Sequence, residues 1–413
     1  MVRSFQRILF ATSLAARTVV PLAAGSLLLA ACPGKTKPDV EEPGGEDKPA
    51  TSDVGAVLEA ARAAAKAGNV DEAHAKYLEA GKIKVDVEIV DEHVKYLLAH
   101  QMPDQAVVVA KAYYEAKPAD SKGSLVYADA LIGAGDFTQA AEIAGEVVEL
   151  QAQNPAGWET RGRAFVLGGK AEEGLEDLRK ASELPPKSAV NVTSLGWGLF
   201  TAGRIDEAAL VLRSAVELDN KNARALRLLG IVRRAQDDDK EAVSWLIKAV
   251  KIDPDDAEAW FNLALAQNQM DDNVDAEASA QKATSLAPSN TTYWYAYGEM
   301  LRINKKAEEA STAYRRAMDG KPSHQKAAAK FAFVLYEAGK YPEAEVFLTE
   351  RIRDDQKNPY LFYNLGWVYS QQKKYRLGID AFEMYLTLAP KDDNDRNKAN
   401  AEIKALKKKG GIR

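Results

Sequence analysis

A period of 34 residues runs through this chain and leaves little freedom in how it can fold. Stepping back in 34s from Ala310 lands on Ala276, Ala242, Ala208, Gly174, Ala140 and Ala106, and stepping forward lands on Ala344 and Gly378, always a small residue. A second column reads Ala61, Val94, Ala128, Gly162, Gly196, Gly230, Ala264, Gly298, Ala332 and Gly366, with one slip near its start. Within the unit from Thr291 to His324, Trp294, Gly298 and Leu301 step by four and three, and Ala310, Tyr314 and Ala317 repeat that stepping. The pattern predicts two amphipathic helices separated by a turn. Their small residues stand where the axes must approach most closely, and Pro322 stops the second helix. One such hairpin cannot bury both apolar faces, so neighbouring units must stack.

These columns resemble the tetratricopeptide repeat, whose period is also 34 residues. The resemblance covers Val54 to Asp392 as ten units, the later ones with prolines at Pro254, Pro288, Pro322 and Pro390. It implies an all-α, right-handed solenoid of helix-turn-helix repeats. Composition agrees, since helix formers dominate, strand-like alternation is absent, and glycine and proline gather at turns. The first three units are the least regular: Tyr113 and Val147 occupy a column that later holds Ala181, Ala215 and Ala249. Divergent end units serve as a cap or as a docking end. Beyond residue 392, Ala399, Ile403 and Leu406 continue the apolar spacing into Lys407, Lys408, Lys409 and Gly410-Gly411, so residues 393–413 read as a capping helix with a basic tail.

The chain begins with a different signal. Residues 1–31 hold Arg3, Arg7 and Arg17, then an apolar run from Val19 to Ala31 that is short for a membrane span and contains Pro21. Its end, Leu29-Ala30-Ala31-Cys32, resembles the lipobox of bacterial lipoproteins. That resemblance implies removal of residues 1–31 and acylation of Cys32, the only cysteine in the chain. Residues 32–53 are rich in proline, glycine and charge and cannot offset the entropy of ordering, so they read as a tether. Pro33 stands where an aspartate commonly signals inner-membrane retention in the lipoproteins resembled, which favours the outer membrane, facing the periplasm.

Catalytic and cofactor chemistry finds no support. Four histidines, His74, His93, His100 and His324, are scattered without partners at metal-ligand spacing and read as surface residues, so no metal is expected. Acid-rich turns such as Asp237-Asp238-Asp239 and Asp271-Asp272 lack the offsets of a calcium loop and read as solvated turns and helix N-caps. There is no phosphate loop and no nucleophile elbow, and no cofactor or small-molecule substrate is expected. A formal net charge of −5 offers no basic surface to nucleic acid.

The informative surface is a second stripe on each unit's first helix, at unit positions 5, 9 and 12, which lines the concave groove in the family resembled. Candidate binding residues on it are Thr193, Trp197, Phe200, Arg227, Arg234, Phe261, Tyr295, Arg302, Phe333, Tyr336, Tyr363 and Trp367. Aromatics with interspersed arginine are enriched at protein interfaces, although some of these side chains are equally suited to packing between neighbouring first helices. The expected partner is an envelope protein held in the groove during assembly of a larger machine, as in the repeat lipoproteins that assist pilus secretins. Alternatives are a non-catalytic regulator or recruiting subunit of a cell-wall enzyme, and a glycan receptor using the aromatics as stacking platforms.

Overall fold

The computed structural model describes residues 53–320, 323–324 and 326–412; residues 1–52, with the export segment and Cys32, and also Pro322 lie outside the described residues. Among the described residues every regular element is a helix, twenty-one in all. They run as ten hairpins. The first five pair α1 (Val54–Lys66) with α2 (Val70–Ile83), α3 (Val87–Ala99) with α4 (Pro103–Ala116), α5 (Ser121–Ala134) with α6 (Phe137–Leu150), α7 (Pro155–Leu167) with α8 (Ala171–Glu183), and α9 (Ala189–Thr201) with α10 (Ile205–Leu218). The next five pair α11 (Ala223–Ala235) with α12 (Asp239–Ile252), α13 (Ala257–Gln269) with α14 (Asn273–Leu286), α15 (Thr291–Ile303) with α16 (Ala307–Asp319), α17 (Ala327–Glu337) with α18 (Tyr341–Asp354), and α19 (Pro359–Gln371) with α20 (Tyr375–Leu388). A last helix, α21 (Arg396–Gly410), packs on α20.

Two further periodic columns set where helices begin and turn. Asp86, Asp120, Asn154, Ser188, Asn222, Asp256 and Asn290 stand one unit apart, and Asn358 two units further on, at the N-caps of the first helices, each side chain accepting from an amide in the first turn. Between the helices of a hairpin the chain turns through a left-handed residue: Gly68, Gln101, Gly135, Gly169, Gly203, Asp237, Asp271, Lys305, Gly339 and Lys373 all have φ between 60° and 86°. The acid-rich turns fit this scheme, with Asp237 and Asp271 in the left-handed position and Asp238 capping the amide of Glu241.

The alanines of both small-residue columns have no accessible surface, and the glycines are buried with them. Across several hairpins the bulk is complementary. A Cβ added to Gly196 would lie 2.5 Å from Leu212 Cγ, one on Gly230 2.5 Å from Leu246 Cγ, and one on Gly366 2.8 Å from the Phe382 ring. Where the first helix carries Ala128 or Ala264, the facing residue shrinks to Ala144 or Ala280. The same exchange operates between units. Tyr113 and Val147, which break an alanine column, meet Gly123 and Gly157, so the irregular early units remain filled at those joints.

First helices of consecutive units approach one another from α3 through α15 and again between α17 and α19, while no pair of second helices packs to a comparable extent. The first helices therefore form the inner side of the array. At its end Ala399 and Leu406 of α21 are fully buried, Ile403 is half-buried, and Gly411 ends the helix at φ 63° after Lys407, Lys408 and Lys409. No described helix is long and apolar enough to cross a membrane.

Candidate protein-binding face

The stripe at positions 5, 9 and 12 lies on this inner side, but its members are not equally available. Thr193 is buried at 1% exposure, its hydroxyl donating to Ala189 O and accepting from Asn222 Nδ2 of the next unit. Tyr295 is also buried, with its ring stacked on His324 at a centroid distance of 4.0 Å. Both are packing residues between units and not open contact points, which corrects the expectation for them.

Trp197, Phe200, Phe261, Phe333, Tyr336, Tyr363 and Trp367 are all half-buried. Trp197 and Phe200 lean on the central core, while Tyr363 and Trp367 lean on the core that also holds Phe382, Tyr385 and Leu406. Trp367 meets Phe382 edge-on at 5.7 Å and Tyr363 at 6.2 Å. Phe261 and Phe333 are less committed: Phe261 stacks on Tyr293 at 4.7 Å, and Phe333 lies between Tyr336 at 6.2 Å and the Arg302 guanidinium at 5.8 Å. Arg302, Phe333, Tyr336, Trp367 and Tyr363 thus form a continuous aromatic run across α15, α17 and α19.

The charges of this face are largely met by the neighbouring unit. Arg227 pairs with Asp256 and Glu258, and Arg163 donates to Asp129 at 2.9 Å while Ser194 donates to Glu159. Glu299 accepts from Tyr314 Oη at 2.5 Å and Lys330 Nζ at 3.0 Å, with Arg302 at 3.5 Å. Burial works against the Glu299 charge, but Lys330, Arg302 and the tyrosine hydrogen bond outweigh it and hold its pKa below the usual value. Asp129 goes the other way: burial, with the like charges of Glu159 and Asp91, overcomes Arg163 and raises its pKa. Arg234 faces Asp239, yet burial dominates and lowers its pKa to about 10.

The histidines depart most from expectation. His93 is 2% exposed and its Nε2 lies 2.8 Å from Nδ1 of His74, with Tyr77 stacked on it at 5.0 Å. Burial, then the neighbouring His74, lowers the His93 pKa to about 4. His324 is half-buried, and burial followed by Lys326 lowers its pKa to about 4 as well. Only His100 is the exposed residue expected. A signal for each was present in the columns. His93 occupies the position of Leu195, Leu229, Leu263 and Leu365, all buried, and His324 occupies the N-cap position. Without a capping side chain there, α17 begins only at Ala327 and has 11 residues, where α15 and α19 have 13. Among the described residues no three histidine, cysteine or acidic side chains converge in a metal-binding arrangement.

Comparison with known proteins places tetratricopeptide repeats along much of this array. A model described as the cytochrome c-type biogenesis protein H TPR domain matches residues 287–396, and two tetratricopeptide repeat models match residues 199–264 and residues 125–189 and 246–290. No curated protein matches the chain. Among solved structures, yeast Tom70 is similar at 16% identity over 87% of this chain and 96% of that one, with a TM-score of 0.41. Pseudomonas aeruginosa pilF is similar at 20% identity over 49% of this chain and 92% of that one, with a TM-score of 0.44. A tetratricopeptide repeat protein from Parabacteroides merdae is similar at 15% identity over 64% and 98%, with a TM-score of 0.45.

Proposed function

We propose that this chain of tetratricopeptide repeats is a lipid-anchored scaffold facing the periplasm, which holds a segment of another envelope protein against its inner face while a larger complex assembles. The observation that carries the reading is the set of half-buried aromatics on the first helices. Phe261 and Phe333 lie outside the apolar cores yet keep large rings on the inner side, where they contribute contact area and little to packing. The array supplies a surface and positioning, with no turnover. Acylated Cys32 would keep it at the membrane. The match of residues 287–396 to the repeat domain of cytochrome c-type biogenesis protein H favours a narrower second reading, in which the complex being assembled matures a c-type cytochrome.

The test is crosslinking in living cells from a photoreactive residue at Phe261 or Phe333, in wild-type and Cys32→Ser backgrounds. Tyr295 is unsuitable because its ring is buried. Capture of one envelope protein at both sites, with loss of lipid labelling and of membrane retention in Cys32→Ser, is the expected result. Crosslinks confined to the chain's own neighbouring units would remove the binding reading. Normal membrane retention of Cys32→Ser would remove the anchor, and capture of glycan strands would replace the protein partner by a saccharide.

A further inference from the structure

The inner face contains a cation that the array itself does not neutralise. Arg224, near the start of α11, is exposed, and among the described residues no carboxylate lies within ion-pair distance of its guanidinium. The charges that reach it come from two sides: Arg163 and Glu159 of α7, and Arg227 of its own helix with Glu258 of α13. Both glutamates are already engaged, Glu159 with Arg163 and Ser194 and Glu258 with Arg227. What remains around Arg224 is partial desolvation and two like charges, and together they lower its pKa. Arg161, Arg163, Arg204, Arg227, Arg233 and Arg302 each have a carboxylate partner in the fold. At the equivalent position one unit earlier stands Val190, an apolar side chain left 57% exposed.

We infer that Arg224 is the docking point for an aspartate or glutamate side chain of an extended partner segment, with Val190 covering an apolar residue of the same segment. The inference rests on the reading of the inner face as a protein-binding surface and adds the partner's chemistry to it. A carboxylate arriving here meets an exposed guanidinium that offers two parallel donors and has no internal bond to break. The same approach elsewhere on the face would displace an existing pair, such as Arg227 with Glu258.

The experiment uses the full chain purified in detergent and a displayed library of random short peptides, selected separately on wild type and on Arg224→Glu. Arg224 is exposed, so both this variant and Arg224→Ala keep the fold, checked by helix content. Wild type should enrich peptides with Asp or Glu beside an apolar residue, and Arg224→Glu should enrich Lys or Arg at that place. A synthetic peptide from the wild-type selection should bind Arg224→Ala about tenfold more weakly or worse, as loss of a charge-assisted hydrogen bond implies, while Arg224→Lys retains part of the affinity. Peptides that bind the inner face, shown by sensitivity to Phe261→Ala or Phe333→Ala, but carry no acidic preference would overturn the inference and leave the binding surface standing. Retention of no peptide by wild type would overturn both.

Discussion

Gly162 and Gly174 face each other backbone to backbone across the α7–α8 hairpin. A Cβ on Gly174 would stand 2.6 Å from Gly162 O and 2.8 Å from Val166 N, and one on Gly162 would stand 2.9 Å from Gly174 O. The equivalents of Gly174 in the flanking units are Ala140 and Ala208, both without accessible surface. The same column therefore tolerates a methyl group in its neighbours and not here.

Gly174→Ala should accordingly destabilise the α7–α8 hairpin by about 1–3 kcal/mol, the usual cost of overpacking, although alanine favours a helix over glycine by about 1 kcal/mol. Because a repeat array opens locally, the measurement is amide hydrogen exchange resolved to α7 and α8. Unchanged or increased protection there would show that the two backbones can separate at no cost.

The left-handed turns predict the opposite sign. Lys305 and Lys373 hold φ near 63° and 61° where five equivalent positions carry glycine. Lys305→Gly and Lys373→Gly should each stabilise by about 0.5–1 kcal/mol, the left-handed strain being larger than the added entropy of the unfolded chain. Gly203→Ala, at φ 79°, should lose a similar amount. Urea unfolding followed by circular dichroism reports all three.

His93 makes the early units acid-sensitive. Its pKa is lowered from 6.5 to about 4, so between those values the unfolded chain binds a proton that the folded chain does not. Stability from this group is complete above about pH 6.5 and falls as pH drops toward 4, by roughly 3 kcal/mol. His324, whose pKa is lowered to about 4, adds a slope of the same sign around α15 and α17. His93→Leu, which matches the leucines of the equivalent position, should flatten the pH dependence of exchange in α2 and α3 and leave that of α15–α17 in place. An unchanged slope in α2–α3 would assign the acid sensitivity to other groups.

The aromatics of the inner face should separate into two classes. Phe333→Ala should weaken partner capture by about 2 kcal/mol, the size of an interface hot spot, with thermal stability nearly unchanged. Trp367→Ala should lower stability by about 2–3 kcal/mol, because it removes the edge contacts to Phe382 and Tyr363 as well as any partner contact. If the two variants behave alike in a melting experiment, the distinction between contact residue and packing residue fails.

The sequence by itself determined the period, the hairpins, the buried columns and the capping helix built on Ala399, Ile403 and Leu406. Each of these is a matter of register within one unit. Helical spacing decides which face a residue occupies, and that face is small and apolar in every copy. The inner-face stripe was legible in the same way, as far as the side of the helix on which Trp197, Phe261 or Phe333 lies. The tertiary structure alone decided which stripe residues stay accessible. That depends on how closely successive first helices approach and on what reaches across the joint: His324 onto Tyr295, Asn222 onto Thr193, Glu258 onto Arg227. The contact of His74 with His93 and the unpaired state of Arg224 belong to this second class. A periodic pattern specifies direction from the helix axis, whereas exposure and pairing depend on distances between units, which curvature and side-chain length set and spacing along the chain does not encode.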